Sequence, residues 1–209
     1  MLIDIPIRED LLEYFPKYEY FNCTQPEMIN FSLPDNLVGQ SQEAFIIYHI
    51  LKQLTEHKDT GMSGLDIGCG QNIHFACIGT DSYFGNQHPT YGGAYHPQIT
   101  SQAEDIHNKI NPGTLSFIVA SHILEHVDNP IVTFRNWCKL LKKDGVVILL
   151  MPDYKFEESV VAWDPTHKTF WNPSDFEKNC IIPNQDIIKV EEFNTLNNKF
   201  SFNAILRRT

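Results

Sequence analysis

Apolar residues along this chain fall into two spacings. From Ser41 onward, Phe45, Ile47, Ile50, Leu51 and Leu54 recur every three to four positions, the period of a helix with one buried face. Ser41 is placed to cap it, Glu43 sits in its positive first turn, His57 and Lys58 suit its end, and Gly61 stops it. The next pattern is short and continuous. Gly64 to Gly68 reads as a short strand ending in a glycine turn and Ile78 to Asp81 as a second strand end, while Ser116 to Ala120 and Val146 to Leu150 are runs of the kind found in strands buried on both faces of a parallel sheet. Between the last two, Asp128 or Asn129 caps a second helix, with Pro130 just inside it and Ile131, Phe134, Cys138 and Leu141 as its buried face. Asp144-Gly145 ends that helix, and Pro152 closes the strand after it. Ile187 to Phe193 and Phe200 to Leu206 flank a polar turn and predict a hairpin. Alternating strands and helices, closed by two strands, give an α/β fold with a mostly parallel sheet and an antiparallel edge strand.

Size and charge narrow this further. The 209 residues make one domain with a sizeable core, and 42% are apolar. Residues 1–40, aromatic and broken by prolines, are expected to be an extension or lid. Residues 41–153 form the expected core, 154–182 a substrate-side insertion and 183–209 the closing strand pair. A formal charge of −10 disfavours nucleic acid or an anionic membrane as partner. The basic pairs Lys142-Lys143 and Arg207-Arg208 are too small to change that. The five cysteines are odd in number and form no C-x-x-C pair, which fits reduced thiols in a cytoplasmic protein. No segment has signal-peptide character or the length to span a bilayer.

The chemistry concentrates at Leu65-Asp66-Ile67-Gly68-Cys69-Gly70. This turn stands at the carboxyl end of the first parallel strand, where open α/β sheets bind ligands. A dinucleotide fold would place a third glycine where Ile73 stands. An acidic strand end also repels a pyrophosphate and suits a ligand carrying positive charge.

On these residues the chain resembles the class I S-adenosylmethionine-dependent methyltransferases. The resemblance implies a Rossmann-like open sheet of seven strands with helices on both faces. It implies that Asp66, Gly68, Cys69 and Gly70 surround the methionine part of S-adenosylmethionine, and that Asp81 meets the ribose hydroxyls. Ser101 to Ile106 resembles the adenine-binding turn, which points to Gln102 and Ala103. Ala120 to Val127 resembles the loop after the fourth strand, which brings in His122 and His126. Leu140 to Pro152 resembles the helix end and fifth strand. Asn72 replaces a further glycine of the family, Ser116 replaces an aspartate, and the link from Gly70 to Asp81 is short. Some bacterial members share such a shortened first loop, and this chain is most similar to them.

Asp164-Pro165-Thr166-His167 resembles a D-x-x-H segment after the fifth strand of many relatives. His167 is the first candidate for a general base, with Asp164 orienting it, and His126 is the second. The implied reaction is methyl transfer to a small-molecule or glycan acceptor, on oxygen. Two other readings exist. His122-Ile123-Leu124-Glu125-His126 fits the H-x-x-E-H spacing of a zinc metallohydrolase, but no third ligand stands out and no metal is expected. A cofactor-binding protein without catalysis is the other.

Overall fold

A computed structural model of the chain describes residues 40–55, 64–74, 76–90, 92–156, 164–196 and 200–209. The expected lid in residues 1–39, the helix end at His57 to Gly61, and Trp163 lie outside the described residues.

The first helix, α1, runs Gln40–Thr55, so Ser41 lies inside it rather than capping it. The strands are β1 (Gly64–Ile67), β2 (Cys77–Asp81), β3 (Ile99–Thr100), β4 (Leu115–Ser121), β5 (Leu141–Pro152), β6 (Ile188–Thr195) and β7 (Ser201–Arg208). They form one seven-stranded sheet in the order β3-β2-β1-β4-β5-β7-β6. β1 to β5 pair in parallel. β7 pairs antiparallel with both β5 and β6, so the closing hairpin forms the antiparallel side of the sheet. The two-residue β3 was too short to leave a hydrophobic pattern.

Alternation along the strands explains why the sheet is covered on both faces. Phe117, Val119, Val146, Ile148 and Leu150 pack with Ile46, Ile47, Ile50, Leu51 and Leu54 of α1. The intervening Ile118, Ala120, Val147, Leu149 and Met151 pack with Phe134, Trp137 and Cys138 on the other face. Those three belong to α2, Pro130–Leu140. Each fully buried Leu, Ile, Val or Phe contributes about 1.5–3 kcal/mol. The sheet strands thus carry the core, and their carboxyl ends are fixed relative to one another.

Three expectations for α2 are revised. Asn129 holds the N-cap position without a capping side-chain bond. Ile131 is 43% exposed, because the inward face passes through Thr133, Phe134, Trp137 and Cys138 instead. Leu141, assigned to that face, is buried as the first residue of β5. Among the described residues no helix is long and apolar enough to cross a membrane.

Candidate active site

The turn after β1 is built by backbone geometry. Gly68 and Gly70 hold φ of +71° and +57°, which glycine adopts without steric cost. At Gly68 a Cβ would also stand 2.8 Å from the Ile123 side chain. The N–H groups of Gly68 and Cys69 both donate to the Thr80 carbonyl, at 2.8 and 3.0 Å. Gly70 N–H donates to Asp81 Oδ2 at 3.1 Å, and Tyr83 N–H donates to Asp81 Oδ1 at 3.0 Å. The Asp81 carboxylate therefore ties the β1 turn to the end of β2.

No helix follows β1. Among the described residues, Gly70 to Ala76 forms turns and coil. Asp66 organises this short link. It is 1% exposed, and its Oδ2 accepts from both the backbone N–H and the Nδ1 of His74, at 2.8 and 2.9 Å. The shortened loop thus takes its shape from an aspartate–histidine pair in place of a helical turn. Cys69 is buried, and burial first, then Asp66 and Asp81, push its thiol up to about 12. It stays a neutral, buried thiol.

A cleft open to solvent runs along the carboxyl ends of these strands. Gly68, Asp81, Gln102, Ala103 and His126 line it. Ser82, Ser101, Glu104, Ile123 and Val127 line it too, and the motifs did not single them out. Asp66, Cys69, Gly70 and His122 do not line it. The adenine-type turn is anchored from below, where the buried Trp137 Nε1–H donates to the Ala103 carbonyl at 2.9 Å. The helical period marks Trp137 as buried, but no local pattern ties it to residue 103.

His122 occupies a left-handed backbone conformation, φ +53°, directly after β4. Its Nε2 lies 3.1 Å from Glu43 Oε1, and its Nδ1 lies 3.5 Å from Glu125 Oε1. Burial alone would lower its pKa, but Glu125 and Glu43 outweigh that and raise it to about 10. His122 is therefore an imidazolium held between two carboxylates. The H-x-x-E-H reading fails on this geometry. Only a three-residue 3-10 turn, Leu124–His126, follows, so the two histidines share no helical face. A proton also occupies the lone pair that a metal would need.

At the His126 side of the cleft, His126 and His167 meet edge to face, with ring centroids 4.7 Å apart. His126 Nδ1 lies 2.9 Å from Thr166 Oγ1, and that hydroxyl donates to Asp164 Oδ1 at 2.5 Å. A hydroxyl has one proton to give. With it on Asp164, His126 Nδ1–H is the donor to Thr166, the tautomer whose lone pair in a neutral ring is on Nε2. Asp164 also accepts from Thr166 N–H at 2.8 Å, while His167 N–H donates to the Asp164 carbonyl at 3.3 Å. The Asp164 side chain thus reaches His126 through Thr166, a link the D-x-x-H pattern does not announce. Burial lowers the His167 pKa below its ordinary value; the other histidines add to this, while Glu125 and Asp164 oppose it. Glu125, His126 and His167 each bring a ligand-type atom within 4.8 Å of the others. The third member comes from 41 positions downstream of His126, so spacing could not reveal the group.

A methyltransferase domain family model matches residues 40–188. No curated protein matches the sequence significantly. Among solved structures, the plantazolicin methyltransferase BpumL in complex with SAH is similar over 80% of this chain and 82% of its own, at 16% identity and TM-score 0.53. An S-adenosylmethionine-dependent methyltransferase from Mesorhizobium loti is similar over 70% of this chain and 91% of its own, at 12% identity and TM-score 0.53. One from Archaeoglobus fulgidus covers 71% of this chain and 86% of its own, at 17% identity and TM-score 0.50. With the β3-β2-β1-β4-β5-β7-β6 sheet and the family match over residues 40–188, the chain belongs to the methyltransferase domain family, within the class I enzymes that use S-adenosylmethionine.

Proposed function

We propose that this enzyme methylates an oxygen of a small-molecule or glycan acceptor, with His126 taking the acceptor's proton. The observation that carries the reading is the Asp164–Thr166–His126 chain, which leaves Nε2 of an imbedded imidazole free beside the cofactor cleft. The order expected from sequence reverses: His126 acts as base, and His167 walls the acceptor site.

The cleft fits the donor. Its rim is acidic, with Asp81 and Glu104, and Ile123 and Val127 offer apolar surface for a flat ring. Asp81 would hold the ribose hydroxyls, since a carboxylate has about four acceptor sites and two are used by Gly70 and Tyr83. Gln102 and Ala103 would meet the adenine edge, and the Gly68 to Gly70 backbone would face the methionine part. S-adenosylmethionine supplies a methyl group already activated by its sulfonium. The protein's own work is then to align the acceptor oxygen, which can lower the barrier by several kcal/mol, and to receive its proton. As His126 becomes cationic, the buried Glu125 carboxylate, 4.0 Å from Nε2, stabilises the charge. Acceptors bearing a net negative backbone are disfavoured by the charge of −10.

The test is transfer of labelled methyl from S-adenosylmethionine to a panel of hydroxylated small molecules, saccharides, RNA, DNA and proteins. Label on hydroxyl compounds, lost in His126→Gln with cofactor binding intact, is the expected result. Label appearing on nucleic acid or protein alone would overturn the acceptor class, and full turnover by His126→Gln would overturn the base.

A further inference from the structure

We infer that Glu125, His126 and His167 form a binding site for one divalent transition-metal ion of the zinc class. The catalytic consequence drawn below rests on the reading of His126 as base; the binding itself does not. Two independent observations support the site. The first is convergence: one carboxylate and two imidazoles place ligand atoms within 4.8 Å of one another. Two imidazoles and a carboxylate suit zinc, cobalt and nickel. An ion about 2.1 Å from each ligand would draw them to roughly 3.4 Å apart, and His167, on a loop, can close that gap by rotating its ring.

The second observation is the carboxylate. Glu125 is 1% exposed, and neither side-chain oxygen accepts a hydrogen bond. Its nearest charged or chargeable neighbours are His122 at 3.5 Å and His126 at 4.0 Å. A buried carboxylate with no hydrogen bond is unfavourable unless a cation faces it. The His122 ring faces one side of it, and a metal ion would face the other.

The outer contacts are those of a metal site. Ligating histidines characteristically fix their second nitrogen through a hydrogen bond, and Thr166, backed by Asp164, does this for His126 Nδ1. The main chain of Glu125 is also fixed, because its carbonyl accepts from the N–H groups of Lys168 and Thr169 at 2.8 and 3.1 Å. This ties the His167 loop to the Glu125 turn. Nε2 of His126 cannot ligate an ion and accept a proton at once, so a bound ion blocks proton transfer through His126.

Titration calorimetry of the chelator-treated full chain with zinc chloride, without acceptor, tests the site. One equivalent should bind, with Glu125→Gln and His167→Ala each weakening it at least tenfold. Far-UV circular dichroism and retained S-adenosylmethionine binding would show that each variant folds. Cobalt substitution should give visible bands without thiolate charge transfer. No zinc binding tighter than millimolar, binding unchanged in both variants, or a cobalt–thiolate spectrum would each overturn the site. A failure of S-adenosylmethionine binding would instead strike the methyltransferase reading and leave the metal result standing.

Discussion

Thr166 Oγ1 lies 2.9 Å from His126 Nδ1, across forty positions of sequence, and passes its own proton to Asp164. This single hydroxyl sets the tautomer of the imidazole beside the cleft. Thr166→Val keeps the side chain's shape and removes the link. Turnover should fall by about a hundredfold, within the span of general-base effects, while the dissociation constant for S-adenosylmethionine stays the same. Thr166→Ser should restore most of the rate. If Val and Ser variants lose activity equally, the hydroxyl has a packing role only.

Trp137→Phe tests the anchor beneath the adenine turn. The substitution leaves the buried Ala103 carbonyl without its Nε1–H partner, and an unpaired buried carbonyl costs about 1–3 kcal/mol. Urea denaturation should show that loss. Affinity for S-adenosylmethionine should fall as well, because Ala103 and Gln102 share the loosened turn. A stability loss with unchanged affinity would separate Trp137 from the site.

The sheet was legible because its strands are buried on both faces, which leaves uninterrupted apolar runs at Phe117 to Ala120 and Val146 to Leu150. That Gly68 and Asp81 share one cleft was legible because both sit at strand ends, where position along the chain fixes position in space. The grouping around His126 was not. Thr166 meets His126, and Glu125 and His167 come together, across forty or more positions of sequence, so no local pattern marks them. Asp66 shows a third case: its identity fitted a cationic ligand, yet the structure gives its Oδ2 to His74. That bond braces the link between β1 and β2, where the described residues form turns and coil.

Gly68→Ala places a side chain at φ +71° with Ile123 2.8 Å from the new carbon. The left-handed conformation costs a non-glycine residue about 1–2 kcal/mol, and the contact adds to it. Relief would require the turn or Ile123 to move, and both line the cleft. S-adenosylmethionine affinity should drop by about tenfold or more, since about 1.4 kcal/mol is a factor of ten. Calorimetry on the folded variant measures it. Unchanged affinity would mean that the β1 turn does not approach the cofactor.

His122 should make the protein's stability fall as pH rises through a defined window. Its pKa is raised from 6.5 to about 10, because Glu125 and Glu43 together outweigh burial. Between those values the folded chain holds a proton that the unfolded chain releases. The stabilisation is therefore complete below about pH 6.5 and is lost as pH climbs through 10. The buried thiols of Cys69 and Cys180, raised from 9.0 to about 12, act in the same direction only above pH 9. His167, whose pKa is lowered, contributes the opposite slope only below its ordinary value of 6.5. The interval from pH 6.5 to 9 thus isolates His122 among the shifted groups. Urea midpoints across it should decline in the parent chain and stay level in His122→Gln, which keeps hydrogen-bonding capacity without the titrating charge. Equal slopes in both would show that His122 is not held as a cation between Glu43 and Glu125.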